Sequence, residues 1–204
     1  MRHPLHQPTL QLLQNLSGVE LGAASHNPFG VNALNVAPDL NEEIYNESQR
    51  DMGEEPTPID LKGHGAAIPV ADNSQDFVLS SHVLEHIPDP ISAFVEWQRV
   101  IRPGGYVVMI VPQPDALFCD VRPLSTYEVL VRSHRDRWTP ETAPPDSILA
   151  DHYWKFTSTT LRRFIQKLIN GWDDLPQLPW ELVGAEDPDS KVRNGFWLAY
   201  RVMA

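Results

Sequence analysis

The sequence predicts an α/β fold in which helices pack on a mostly parallel sheet. Three observations predict it. Residues 68–112 read as a loop, a buried strand, an exposed polar turn, a helix, a Pro-Gly-Gly turn and a second buried strand, which together make a strand–helix–strand unit. A Gly-containing strand end, Glu20-Leu21-Gly22-Ala23-Ala24, lies one such unit upstream. Near the end of the chain, two apolar runs flank a polar stretch and predict an antiparallel hairpin. Open parallel sheets bind ligands beyond the carboxyl ends of their strands. The two turns therefore point to a nucleotide-like cofactor held across the top of the sheet.

The elements follow in order. A short helix is expected over 8–16, with Leu10, Leu12, Leu13 and Leu16 as its apolar residues. Residues 18–21 form a first strand ending at Gly22, and 32–36 (NALNV) a second. The interval between them holds Pro28 and Gly30 and is too short for a full crossover helix, so a tight connection is expected. A helix over 40–50 with Asn41 as its cap ends before Pro56 and Pro58. Residues 59–61 make a third strand and 76–80 (DFVLS) a fourth. A helix over 91–101 carries Ile91, Phe94, Val95, Val100 and Ile101 and is stopped by Pro103-Gly104-Gly105. The run 106–111 is continuous and β-branched, as a buried parallel strand should be. After it the rhythm breaks. Prolines bracket one helical segment over 125–132, and a stretch of this length between core elements usually serves as a lid or binding loop. A helix opening Thr157-Ser158-Thr159-Thr160 runs through Leu168, and strands over 180–185 and 195–202 close the chain.

Composition narrows the function. A chain of 204 residues with 42% hydrophobic content favours one domain with a real core, here 1–204 with an insert at about 113–154. The net charge of −11 argues against nucleic-acid or anionic-membrane partners, which need Lys and Arg against phosphate. The basic stretches 132–137 and 155–167 are too sparse to change that and read as solvated faces. A single cysteine, Cys119, excludes an internal disulfide and a Cys-based zinc site. No apolar run approaches the roughly 20 residues that span a bilayer, and the N-terminal segment lacks a signal-peptide core. The expectation is a soluble, cytoplasmic protein, with a homodimer left open.

Two constellations carry chemistry. In Val19-Glu20-Leu21-Gly22-Ala23-Ala24, the Gly lets a ligand approach the backbone, and Glu20 can reach an ammonium or ribose group; an ordinary strand turn accounts for the same residues. In Ser80-Ser81-His82-Val83-Leu84-Glu85-His86, small polar residues follow a buried strand. His82 and His86 have the i, i+4 spacing of metal ligands on a helix, but Pro88 opposes a regular helix and a third ligand would come from far away. No metal is expected, and capping or packing accounts for both histidines.

Through VELGAAS, IPVADNSQDFVLSSHVLEHIPDP, VIRPGGYVVMIVP and DHYWKFTSTTLRRFI, the chain resembles the class I S-adenosylmethionine-dependent methyltransferases of the small, type 11-like kind, from about Val19 to Val202. The resemblance implies a Rossmann-like seven-stranded, mostly parallel sheet with an antiparallel last strand and helices on both faces. It implies S-adenosyl-L-methionine as cofactor and a small-molecule or glycan hydroxyl as acceptor. By position, Glu20, Gly22, Ala23 and Ala24 would border the methionine part and ribose. Ala37 to Asp39 would meet the ribose hydroxyls, Gly65, Ala66 and Ala67 would cover adenine, and Ser80, Ser81 and His82 would line the floor beneath the sulfonium. The family has glycines where Ala24 and His26 stand, an acid where Ala37 stands, and another at about His64. These departures sustain an alternative: a divergent, non-catalytic relative acting as a binding or regulatory partner. A nicotinamide-dependent oxidoreductase would need G-x-G-x-x-G opening a helix, which 22–27 does not provide.

Methyl transfer is an in-line displacement, and a base is needed where the acceptor hydroxyl must lose its proton. His152, Asp115 and His86 are the candidates, with Asp151 beside them. His152 suits the role by its ordinary pKa of about 6.5, and is equally read as a residue leading into the helix. The resembled branch often has His where Gln113 stands, and Gln accepts no proton. Trp138, Tyr153, Trp154 and Phe156 read either as an acceptor wall or as the fastening of the insert.

Overall fold

Seven strands pair into one sheet in the order β3-β2-β1-β4-β5-β7-β6. The computed structural model describes residues 3–38, 42–51, 53–116, 120–148 and 152–204. Its elements are α1 (Gln7–Leu13), β1 (Ser17–Leu21), β2 (Asn32–Ala37), α2 (Glu42–Asp51), β3 (Leu61–Lys62), β4 (Gln75–Ser81), α3 (Pro90–Val100), β5 (Ile101–Pro112), α4 (Tyr127–Arg135), α5 (Ser158–Ile169), β6 (Trp180–Glu186) and β7 (Gly195–Val202). Strands β1 to β5 run parallel, and β7 runs antiparallel to both β5 and β6. The mostly parallel sheet and the terminal hairpin are those that the sequence predicts.

The two faces are covered unequally. On one, Ile91, Phe94, Trp97 and Val100 of α3, Leu130 of α4, and Leu161, Phe164, Ile165 and Leu168 of α5 bury against Val78, Val107, Met109 and Val111. On the other, Leu13 of α1 and Phe29 of the β1–β2 connection cover Phe77, Leu79, Val108 and Ile110. Phe29 thus does locally what a crossover helix does elsewhere, which explains how so short a connection is tolerated.

Local chemistry sets the helix ends. Asp89 caps α3 by accepting from the Ser92 backbone N–H at 3.0 Å, and Pro90 occupies the first turn, where no N–H is needed. Thr157 and Thr160 form a reciprocal capping box at the start of α5. Several boundaries differ from the sequence reading: the first helix ends at Leu13 rather than 16 and α4 runs Tyr127–Arg135 rather than 125–132, and two strands also shift. The third strand is Leu61–Lys62 rather than 59–61. The fifth begins at Ile101, because Pro103-Gly104-Gly105 is a bulge inside it rather than a turn before it: Gln75 pairs with Ile101 and Phe77 already with Tyr106. A Cβ on Gly105 would lie 2.4 Å from the Asp76 carbonyl oxygen, so only glycine fits the bulge. The cap expected at Asn41 lies outside the described residues.

The insert is tied down by aromatic residues. Trp138, Trp154 and Phe156 are buried in the main core and stack in series, with centroids 6.0 and 6.3 Å apart. Trp154 donates its indole N–H to the Ile87 carbonyl at 2.6 Å, and His134 of α4 meets Asp89 at 3.0 Å. These contacts fit the fastening role rather than an acceptor wall. Trp154→Ala should lower unfolding free energy by about 3–5 kcal/mol, the range for large-to-small changes in a core. Urea denaturation measures it, and a loss below about 1 kcal/mol would show that Trp154 does not fasten the insert.

Candidate functional site

Strands β1 and β4 are neighbours in the sheet, Val19 opposite Val78 and Leu21 opposite Ser80. The chain order reverses between them, with β2 and β3 on one side and β5 on the other. This switch point is where an open sheet leaves a crevice at its carboxyl edge. A cavity of about 370 Å³ lies there, lined by His3, Glu20, Gly22, Ala24, His26, Asn27, Ser81, His82, Val192 and Asn194. That volume falls within the roughly 300–1,000 Å³ of small-molecule sites.

Five of the residues expected around a cofactor meet on this wall: Glu20, Gly22, Ala24, Ser81 and His82. Gly22 has φ +62°, a left-handed conformation that bares the backbone beside the cavity. The others stand elsewhere. Ala23 donates its backbone N–H to Asn35 Oδ1 at 2.9 Å. Ala37 is buried. Ser80 is fully buried behind the floor. Gly65 packs so closely that a Cβ would come within 2.5 Å of Ile87 Cδ1, while Ala66 packs against the core and Ala67 is exposed. Asp39 lies outside the described residues.

Sequence reasoning missed Asn35, Lys191 and Asn194. Asn35 pairs across β1 with Glu20, and its buried amide is occupied by Ala23 N–H and by donation to the Pro58 carbonyl at 2.9 Å. A polar side chain inside a buried strand was the available signal. Lys191 and Asn194 come from the β6–β7 connection, whose polar composition carried no hint that it folds over the first strand's tip. Lys191 donates to the Pro28 carbonyl at 2.6 Å and sits 3.7 Å over the Phe29 ring.

The electrostatics follow from burial. Desolvation pushes the Glu20 carboxyl up to about 7, although the charge of Lys191 opposes the rise. Desolvation also pulls Lys191 down to about 8, opposed by Glu20 and Asp189. His82, with φ +54°, is held down to about 4 by burial, and Glu85 is pushed up to about 8 by burial. The contact of His82 Nδ1 with Glu85 Oε1, 3.8 Å long, is therefore between neutral groups at neutral pH. Two polar atoms of the cavity-lining residues, His26 Nδ1 and Asn27 Oδ1, are buried without a hydrogen-bond partner among the described residues.

Beside His82, a second group assembles. The His86 and His152 rings lie 4.6 Å apart, centroid to centroid. Glu85 Oε1 is 3.9 Å from His86 Nε2. The Tyr153 backbone N–H donates to the Glu85 carbonyl at 2.8 Å, which draws the end of the insert onto this turn. Of the three expected proton acceptors, His152 and His86 thus meet, whereas Asp115 is exposed on the 3-10 turn Pro114–Ala116 and joins neither group. Asp151 lies outside the described residues. Gln113 is tied to Asp187, its amide donating at 2.5 Å.

Residues 19–109 match the methyltransferase domain family. Over this stretch, a little under half of the chain, it resembles that domain. An uncharacterized methyltransferase of Mycobacteroides abscessus is 40% identical over 88 residues, 43% of this chain and 34% of that protein. A 37.1 kDa protein in transposon TN4556 of Streptomyces fradiae is 30% identical over 128 residues, 59% of this chain and 37% of that one. The chain thus spans about a third of the length of the curated relatives it matches. Among solved structures, an S-adenosylmethionine-dependent methyltransferase of Aquifex aeolicus superposes with a TM-score of 0.54 at 15% identity, covering 97% of this chain and 89% of that one. One from Mesorhizobium loti gives 0.53 at 14%, covering 96% and 94%. These likenesses establish the fold. No described helix is long and apolar enough to cross a membrane.

Glu20 supplies a test of the site's dielectric. Its carboxyl holds a proton up to about pH 7 in the folded chain but ionises near 4.5 when unfolded. Folding stability should therefore fall as pH rises from about 4.5 to 7, then level off. Glu20→Gln should gain about 1–3 kcal/mol over wild type at pH 8, after screening at its exposed edge, and nothing at pH 4. Urea denaturation at the two pH values measures this, and an equal difference at both would refute the buried carboxyl.

Proposed function

We propose that the chain is an S-adenosyl-L-methionine-dependent methyltransferase acting on a small-molecule or glycan hydroxyl. The observation that carries this reading is the cavity at the β1/β4 switch point, walled by Glu20, Gly22, Ala24, Ser81 and His82. The donor set fits the amino-acid end of the cofactor. Gly22 permits close approach of the backbone, and Glu20 and the unpartnered Asn27 Oδ1 are acceptors suited to an ammonium. When bound, the cofactor supplies an activated methyl group on a sulfonium.

The chain's own residues then have three tasks. Glu20, Asn27 and the Gly22 backbone hold the cofactor's polar end. Ser81 and His82, at the end of β4, form the floor; His82, neutral by burial, adds no positive charge beside a cation. His152 and His86 stand next to that floor as proton acceptors for a hydroxyl, and proximity is the main contribution asked of the protein. The insert at 113–154 closes the acceptor side, anchored through Trp138 and Trp154. The net charge of −11 favours an uncharged acceptor over nucleic acid.

A second reading, a divergent non-catalytic binding partner, is favoured by one specific observation. Toward the ribose, Ala37 offers no acceptor and the Asn35 amide is already engaged. A charged hydrogen bond lost there would weaken binding by about ten- to a hundred-fold.

Calorimetric titration with S-adenosylmethionine and S-adenosylhomocysteine separates the two. Binding of both is expected. Gly22→Val and Ala24→Leu, each adding bulk at the cavity wall, should weaken it by at least about ten-fold. Ala24→Leu avoids the backbone strain at Gly22, so a folded, non-binding variant is obtainable. No heat with either compound from folded wild-type protein would leave the non-catalytic reading.

A further inference from the structure

Glu85 is 1% exposed, and its Oε2 has no hydrogen-bond partner among the described residues. A buried carboxyl oxygen left in this state is costly unless a cation or donor is brought to it. Among the described residues no Lys or Arg comes within ion-pair distance of Glu85; its ionisable neighbours are His82 at 3.8 Å and His86 at 3.9 Å. Ligand atoms of Glu85, His86 and His152 all lie within 4.8 Å of one another. Ligand atoms around a tetrahedral zinc ion stand about 3.3–3.6 Å apart, given metal–ligand distances near 2.0–2.2 Å. The set is thus within a small side-chain rotation of closing on an ion, and His86, with a side chain 40% exposed, has room to make it.

The backbone holds the set in place. Glu85 and His86 lie on one 3-10 turn, Leu84–His86. His152 comes from the insert, fixed there by Tyr153 N–H to the Glu85 carbonyl and by Arg122 Nη2 donating to the His152 carbonyl at 2.9 Å. This differs from the His82–His86 pair that the sequence suggests and then rejects. The missing third ligand is supplied by tertiary structure, and no regular helix is needed.

We propose that Glu85, His86 and His152 form a site for a divalent transition-metal ion of the zinc type, beside the floor of the cavity. Two imidazoles and one carboxylate suit zinc and its neighbours rather than magnesium, which prefers an all-oxygen shell. Three protein ligands leave a fourth position open, the arrangement of zinc sites that take a substrate or water. His82 both lines the cavity and contacts Glu85, so that position lies at the cavity's flank. In the methyl-transfer reading, on which this role but not the binding itself rests, the ion would hold an oxygen-bearing acceptor. His86 and His152 then serve as ligands in the metal-loaded protein and as proton acceptors only in the metal-free one.

The test is zinc titration of the chelator-treated full chain by calorimetry, without S-adenosylmethionine, with cobalt absorption as a second readout. One equivalent of Zn²⁺ should bind, Mg²⁺ should not compete, and Co²⁺ should give a visible absorption band. His86→Ala and His152→Ala should each weaken zinc by about 100-fold or more, since even outer-shell partners contribute about 10- to 100-fold. His86 is at the surface, so its variant should fold. Wild type that binds no zinc, or binds it as the variants do through its other histidines, overturns the site. Zinc binding without S-adenosylmethionine binding upholds the site and removes the methyl-transfer reading; the reverse result does the opposite.

Discussion

The parallel pairing of β1 with β4 is the constraint on which the site depends. It places Leu21 against Ser80, so Gly22 and Ser81 emerge side by side at the same edge of the sheet. The connections on either side diverge, because β2 lies on one flank and β5 on the other. Backbone leaving in opposite directions cannot fill the gap between the two tips, and the cavity is what remains. Any slip in this register would send alternate side chains to the other face and separate Glu20 from His82.

A site at a sheet edge still needs walls. His3, the β1–β2 connection and the β6–β7 connection provide them. The β6–β7 connection folds over the β1 tip, where Asp189 accepts from the backbone N–H groups of Lys191, Val192 and Gly195 and so shapes the turn that presents Val192 and Asn194. The insert packs onto the Glu85 turn beside the site, where Arg122 donates to Asp120 and to the carbonyls of Ser147 and His152. Stacked Trp138, Trp154 and Phe156 supply the apolar burial. Hydrophobic area holds the insert, and directional bonds decide which residue it presents.

Low dielectric then gives the site its character. Glu20, His82 and Glu85 all lean toward their neutral forms because burial disfavours charge. Lys191 is the cation facing Glu20, and it lies close enough to oppose the rise in that carboxyl's pKa. An incoming ammonium would share Glu20 with a resident one. The atoms at Asn27, His26 and Glu85 are the reverse case: polar groups withdrawn from water with no hydrogen-bond partner among the described residues. Both kinds of imbalance cluster at the same edge of the sheet.

Much of this was legible in the sequence. The β-branched run after Gly105, the paired apolar residues of α3 and α5, and the Thr157–Thr160 cap encode their elements locally, so strand and helix positions and the terminal hairpin follow from them. That Glu20, Gly22, Ala24, Ser81 and His82 share one cavity was legible because they stand at or just beyond the ends of β1 and β4. The bulge at Pro103–Gly105 was not, since Pro-Gly-Gly carries the same local signal whether it ends a helix or interrupts a strand. Neither was the withdrawal of Gly65 and Ser80 into the interior, nor the meeting of Lys191 with Glu20 and of His152 with Glu85 and His86. By itself the sequence determined the elements and the strand tips, because periodicity and capping act over a few residues. Only the tertiary structure decided which distant loops close over those tips, because such contacts join segments whose separation leaves no periodic trace in the chain.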